Sequence, residues 1–504
     1  MDWTRVPVVV GGGQVTNRVE DPVAAPDPFE LMTQTARLAA EDVGGKGPGG
    51  DPEALLAQLT HCFMVHSLSV RHSDPATELA RRVGAPDADA RCSGMGGSIP
   101  QWLVNRAAEL VVAGGRPRIL IAGVEALATR RRARQLGIRL QWPSEEGWPE
   151  TWPALEPDLG IHPVERAHGL DQATSMYALI ESAIAHAAKE DPDSHARTMG
   201  TLMAGFNAVA AQNPLSWFPT RRDAAEIMTV TPDNRMICHP YPKYVNAVMA
   251  VDMAAAVIVT DAATARSWGA AQDDVAYLTG WADAHDVWYL SQRPALHVSP
   301  ALVECGRRAA DAAGVGLDEV GAFDLYSCFP SSIEVARDSF GIALDDTRPL
   351  TLTGGLPYHG GPGNNYVTHA IANATRWLRE GRSDHALVHG NGYYLTKEAV
   401  GIYSRRPPDE PPCPADKIQE QVDKLADPLD VVASARGTGS VVAYTVPFDR
   451  DDGPQSGIVL ADVGAHRTLA LADEALTAIL LESDAVTDTV SIEPDGEVNR
   501  AHAL

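Results

Sequence analysis

Residues 91–125, RCSGMGGSIPQWLVNRAAELVVAGGRPRILIAGVE, decide the fold. They read as strand, helix and strand in succession, with a sharply specified helix start. Ser98 stands where an N-cap belongs, Pro100 sits in the first turn, and Gln101 follows the serine at the spacing of a capping box. Leu103, Val104, Ala107, Ala108 and Val111 recur at the interval of a buried helical face until Gly114 and Gly115 end the helix. Ile119 to Ala122 is apolar throughout, which predicts a strand of a parallel sheet covered on both faces. A helix start gathers free N–H groups and the positive end of the dipole, so a thiol seated there would be a strong nucleophile.

Toward the amino end, Val8 to Val10 predict a short strand ending in Gly11, Gly12 and Gly13, a run without the G-x-G-x-x-G spacing of a dinucleotide site. Phe29 to Val43 predicts an amphipathic helix, residues 44–52 (GGKGPGGDP) a turn-rich loop, His61 to Val65 a strand and Pro75 to Val83 a helix. Toward the carboxyl end the pattern repeats. Gly13, Gly114 and Gly123 stand 267 residues before Gly280, Gly381 and Gly390, and residues 364–390 repeat helix, glycine turn and apolar strand. One offset shared by several landmarks predicts two duplicated halves. Between them lies a segment rich in Trp and Pro (141–160, QWPSEEGWPETWPALEPDLG) and then a helix from Asp171 to Lys189. A helix from Ser299 to Ala313 precedes VGAFDLYSCF at 320–329. From Arg405 the composition turns to a proline-rich spacer, and beyond Leu429 short β-like runs (GTGSVVAYTVPFD, SGIVLADV, HRTLALA, AILLES, TDTVSIEPDG) predict a small antiparallel barrel.

Composition narrows the function. Among 504 residues, 45% are hydrophobic and 21% charged, the balance of a globular protein with a large core. A net charge of −25 would repel nucleic acid and anionic membrane surfaces, so neither is expected as a partner. The one dense basic run, Arg130, Arg131, Arg132 and Arg134, is either a solvated helix face or a phosphate contact. Cysteines at 62, 92, 238, 305, 328 and 413 show neither C-x-x-C nor metal-ligand spacing, which predicts a reduced, cytoplasmic protein with no metal. The start MDWTRVPVVVGGG lacks the features of a secretory signal, no apolar run is long enough to span a membrane, and the terminal AHAL is not the peroxisomal S-K-L.

In the order of Gly-rich turn, helix, A-G-G, apolar strand and G-x-E, residues 91–125 resemble the thiolase superfamily. PYPKYVNAVMAVDMAAAVIVTD (240–261) is similar to that family's strand-helix return, and the segment before it stands where thiolases carry a loop domain that shapes the coenzyme A and acyl pockets. The resemblance implies an α/β fold of two duplicated βαβαβαββ halves in a layered αβαβα arrangement. It divides the chain into a first half (1–125), a loop-domain insertion (126–246), a second half (247–404), the linker (405–428) and an OB-like barrel (429–504). With the added barrel, the pattern is most similar to thiolase-like proteins of type 1, in the sterol-carrier-protein branch.

By the same resemblance the nucleophile position falls on Gly97, and the usual Asn or His of the 320–329 segment falls on Tyr326. GGLPYHGGP (354–362) places Gly361 where the catalytic His belongs, and VHGNG (388–392) puts Val388, His389 or Gly390 where C-x-G supplies an acid-base cysteine. Claisen chemistry needs a thiolate to hold the acyl group, an acid-base group at the α-carbon and an oxyanion hole. Tyr326, His359, His389 and Cys328 are what remain near those loops as candidates. Three readings follow: an acyl-CoA-binding protein without acyl transfer; a lyase performing retro-aldol cleavage or hydration with Tyr326 or a His as proton shuttle; or an acyltransferase of lipid metabolism using Cys328 or Cys92. Each residue also has a plain reading, Tyr326 as a buried ring, His359 as a loop histidine held by backbone, Cys328 and Cys92 as core thiols, and Ser98 as a helix cap. The expected ligand is a coenzyme A thioester with no tightly bound cofactor, and the barrel is a candidate surface for a protein partner. Monomer and dimer both remain open.

Overall fold

The computed structural model describes residues 1–43, 51–413, 418–450 and 453–504, so nearly all of the loop expected at 44–52 lies outside the described residues. Strand β1 (Pro7–Thr16) leads to helix α1 (Pro28–Glu41), which Asp27 and Glu30 start by exchanging side-chain and backbone hydrogen bonds. β1 does not end at its glycines. Gly11 and Gly13 lie inside the strand because α1 crosses it at backbone contact: a β-carbon on Gly11 would sit 2.0 Å from the Ala39 carbonyl oxygen. β2 (His61–Met64), α2 (Pro75–Arg82), β3 (Asp89–Cys92), α3 (Ile99–Ala113), β4 (Arg118–Ala126) and α4 (Leu127–Leu136) follow. α3 begins where its periodicity predicts, yet Ser98 makes no capping bond and the expected capping box does not form. Gln101 is drawn inward instead, donating to Asn105 Oδ1 at 2.9 Å and accepting from the Tyr403 hydroxyl at 2.8 Å.

The inserted segment supplies two antiparallel helices, α5 (Ala173–Ala188) and α6 (Pro192–Gln212), and short strands β5 (Met236–His239) and β6 (Tyr241–Pro242). β7 (Asp252–Asp261) returns to the core as a fully buried strand. The second half runs β8 (Ala276–His285), α7 (Pro300–Ala313), β9 (Ala322–Asp324), α8 (Pro330–Ser339), α9 (Tyr366–Arg379), β10 (His385–Gly392) and β11 (Lys397–Ser404). The strands form one continuous sheet in the order β3-β2-β4-β7-β1-β8-β11-β10-β9. The sequence predicts parallel neighbours for β4, and the structure makes the sheet mixed: β4 is parallel to β2 and antiparallel to β7. Burial on both faces, not strand direction, is what the apolar run reports.

α3 and α9 pack against each other between the two halves of the sheet, α1 and α2 cover the outer face of one half, and α7 covers that of the other, giving the αβαβα layering. The duplication is visible in register, since α9 and β10 begin 267 residues after α3 and β4. The first strands deviate from that offset. A bulge lies between Val9 and Gly11 in β1, and β8 and β11 slip register at Leu278 and Gly280. Gly11, not the expected Gly13, is therefore the counterpart of Gly280, whose β-carbon would sit 1.9 Å from the Ala309 carbonyl oxygen. At the sheet edge β3 is covered by its own chain: Trp152 N–H donates to Cys92 O at 2.8 Å, and Arg91 lies over the Trp152 ring.

Beyond the linker, β12 (Gly437–Pro447), β13 (Ile458–Val463), β14 (His466–Ala472), α10 (Glu474–Glu482), β15 (Thr489–Asp495) and β16 (Val498–Ala503) close a five-stranded barrel. Two expectations change here. The AILLES run lies mostly in a helix, capped by Asp473 and burying Leu476 and Leu480, and that helix is the crossover that makes β14 and β16 parallel. The barrel is seated on its own core, with Tyr444 N–H donating to Ser182 Oγ and Arg467 donating to the Arg293 carbonyl. Among the described residues no helix is long and apolar enough to cross a membrane, and all six cysteines are free.

Candidate functional site

Two regions meet at the mouth of α3, one filled and one open. In the filled region a β-carbon on Gly97 would lie 2.1 Å from the Tyr326 hydroxyl oxygen, so the tyrosine ring occupies the space any side chain at Gly97 would need. Tyr326 follows β9 and is held from three sides. Its N–H donates to His389 Nδ1 at 3.3 Å, its carbonyl accepts from Ser332 at 2.8 Å, and its ring stands edge-on to Tyr366 at 5.9 Å. Burial pushes its phenol far above the ordinary range. Gly390 and Gly392 close the same mouth from β10, with β-carbon positions 3.0 Å from Ser98 Cα and 2.7 Å from Ser98 Oγ. A β-carbon at Gly390 would press on the backbone at the start of α3, and one at Gly392 on the Ser98 hydroxyl.

The histidines are inward-facing. His389 accepts at Nδ1, so its Nε2–H donates to Glu398 Oε2 at 2.8 Å, and both ring nitrogens are engaged within the protein. Burial pushes His389 down to about 3 and Glu398 well above the carboxylate range, so the pair is neutral. His359 is buried with Nδ1 within 3.3 Å of Ser216 Oγ and 3.4 Å of Asn213 Nδ2, its ring 5.1 Å from that of His369. Burial, with His369 beside it, holds His359 well below its ordinary value. The structure thus joins Tyr326 to His389 and sets His359 apart, behind Tyr366. Gly361 faces Leu356, and Val388 is a core residue of β10. Cys328 lies against the Tyr177 hydroxyl and Cys92 lies at the end of β3; burial pushes both thiols up to about 12. Neither is a ready thiolate. None of five cavities traced over the described residues reaches Tyr326, His359 or His389.

Across the loop that joins β3 to α3 is the open region, a cavity of about 670 Å³ at the carboxyl ends of β2 and β3. His66, Ser69, Arg71, Arg130, Arg139 and Trp148 line it. Asn364 bridges the two regions, accepting from Gly96 N–H at 2.8 Å and donating to the His66 carbonyl at 2.9 Å. At the cavity floor Ser69 donates to Glu125, which also accepts from Leu68 N–H at 2.7 Å. Burial pushes Glu125 up to about 7, and burial leaves His66 Nδ1 unpartnered and holds His66 below its ordinary value. Arg130 donates to the Leu68 carbonyl and thereby reaches the rim, while Trp148 stands 87% exposed beside it. In a chain of net charge −25, three guanidinium groups around one cavity concentrate positive charge there. Sequence reasoning named Arg130 but missed His66, Ser69, Arg71 and Glu125. The available signal was Glu125 itself, an acid inside an otherwise apolar strand.

A family model described as the thiolase-like protein type 1 additional C-terminal domain matches residues 417–497. The crystal structure of a monomeric SCP2-thiolase-like protein type 1 from Mycobacterium smegmatis superposes with a TM-score of 0.83 at 32% identity, covering 99% of each chain. An Ltp2-ChsH2(DUF35) aldolase (TM-score 0.58, 15% identity) covers 80% of this chain and 98% of its own. Human mitochondrial 3-ketoacyl-CoA thiolase, solved in complex with CoA (TM-score 0.52, 14% identity), also covers 80% and 98%. At those identities the last two share the fold alone. No curated protein matches the chain.

Proposed function

Since the chain belongs to the SCP2-thiolase-like proteins of type 1, we propose that it binds an acyl-CoA without forming the acyl-enzyme of a thiolase. One observation carries this reading: the Tyr326 ring stands on Gly97, where the family pattern would seat the acyl-holding sulfur, so no side chain fits there. Losing the nucleophile of a catalytic unit removes most of its rate enhancement and leaves binding and polarisation. The open cavity suits the ligand's polar end. In this reading Arg71, Arg130 and Arg139, which line the cavity, meet phosphate groups, and the exposed Trp148 ring stacks on a planar base. The CoA complex of the human thiolase, distant in sequence, lends the fold's capacity for such a ligand to this reading.

A second reading draws support from Glu125. A carboxyl titrating near neutrality, one hydroxyl away from the cavity, can pass a proton through Ser69, as retro-aldol cleavage or hydration of an acyl-CoA requires. Thermal shift and calorimetry with CoA and acetyl-CoA separate these readings from a scaffold role. Binding raises the melting temperature, Arg71→Ala and Arg139→Ala each weaken affinity about tenfold (~1.4 kcal/mol) without lowering the unliganded melting temperature, and intact-mass analysis finds no acyl adduct. Silence toward every CoA ester, or a stable adduct, overturns the proposal. Turnover of a 3-hydroxyacyl-CoA that is lost in Glu125→Gln would select the second reading.

A further inference from the structure

Away from the cavity, the hairpin of α5 and α6 and the first turns of α8 bring two acids and a histidine together in the interior. Glu181 on α5, His195 on α6 and Glu334 on α8 are all buried, and each offers a ligand atom within 4.8 Å of the others. The surroundings are ordered around one direction. Glu190 Oε2 takes the Nδ1–H of His195 at 2.8 Å, which turns Nε2 toward Glu181 Oε1 at 2.7 Å. Tyr241 donates to the other oxygen of Glu181 and contacts Ser331 Oγ at 2.8 Å. Glu334 Oε2, on a residue 1% exposed, has no hydrogen-bond partner. A carboxylate that fixes Nδ1–H and aims Nε2 at the ligand cluster is the outer-shell arrangement of metal-bound imidazoles.

We propose that Glu181, His195 and Glu334 bind a divalent transition-metal ion, with Zn²⁺ the ion best suited to one imidazole and two carboxylates, and Glu190 holding the histidine ligand in place. To reach ordinary Zn–O and Zn–N lengths of about 2.0–2.2 Å, His195 Nε2 and Glu181 Oε1, 2.7 Å apart, would part to admit the ion and Glu334 would draw in. A cavity of about 220 Å³ between α5, α6 and the barrel, lined by Glu181, Glu190, His195, His239 and Tyr444, gives an ion its route. Bound there, the ion would tie the inserted helices to α8, which begins just after Tyr326 and Cys328.

The experiment titrates the full chain, stripped with a chelator and dialysed, with Zn²⁺ alone by calorimetry in buffers of different ionisation heat. One ion per chain is expected. Glu334→Gln, of the same size as the acid, weakens Zn²⁺ affinity at least tenfold with an unchanged metal-free melting temperature. Absence of Zn²⁺ binding, or binding that survives undiminished in a folded Glu334→Gln, overturns the proposal.

Discussion

The filled centre and the open cavity sit on opposite sides of one loop, residues 93–97, and burial acts on them with opposite sign. In the centre it has closed every vacancy: Tyr326 over Gly97, His389 bonded at both nitrogens, His359 and His369 ring to ring. Its titratable groups are held neutral by lost hydration and point at protein. In the cavity the arginines keep contact with solvent, while Glu125 lies fully buried behind Ser69. The two regions are thus distinguished by what their polar atoms face, not by residue type.

That contrast can be broken first by acid. His369 and His389 take up protons near 6.5 when unfolded and near 3 when folded, so their contribution to stability is intact above pH 6.5 and lost as pH falls. Between pH 6.5 and 4.5 the difference in denaturant unfolding between wild type and a His369→Gln, His389→Gln double variant should fall by about 5 kcal/mol, the subtraction cancelling the other buried groups that titrate there. A flat profile there would mean that the centre is wet. Glu125 works the other way. Its folded value near 7 lies above the ordinary 4.5, so its contribution is present below pH 4.5 and lost as pH rises through 7. The wild type minus Glu125→Gln difference should change by ~3 kcal/mol across that window, and no change would place Glu125 in solvent. The smallest effect tests the packing itself. Gly97→Ala should cost about 2 kcal/mol through its collision with Tyr326, whereas in a Tyr326→Ala background it should cost almost nothing further. Equal costs in both backgrounds would show that the ring does not fill the place of a side chain at Gly97.

Much of the architecture was legible along the chain because its signals are local or periodic. The apolar face of α3, Gly114 closing it, and the 267-residue echo in α9 and β10 needed no third dimension. The echo slipped at Gly13, because the first strands of the two halves begin 269 residues apart, which makes Gly11 the counterpart of Gly280. Capping failed at Ser98 because burial redirected Gln101 toward Tyr403, more than 300 residues away. The candidate chemistry was harder to read. His389 and His359 looked available because they stand among glycines, and only Glu398, Tyr326, Ser216 and Asn213, distant in sequence, reveal that they are committed.

By itself the sequence determined the element order, the duplicated halves, the appended barrel and the glycine at position 97, all properties of spacing and side-chain type. The tertiary structure alone decided that a tyrosine fills the space beside that glycine, that the histidines face inward, and that three arginines ring a cavity above Glu125. The physical reason is that hydration and proton affinity depend on which groups from elsewhere in the chain come within a few ångströms, and that information appears only when the layers are packed.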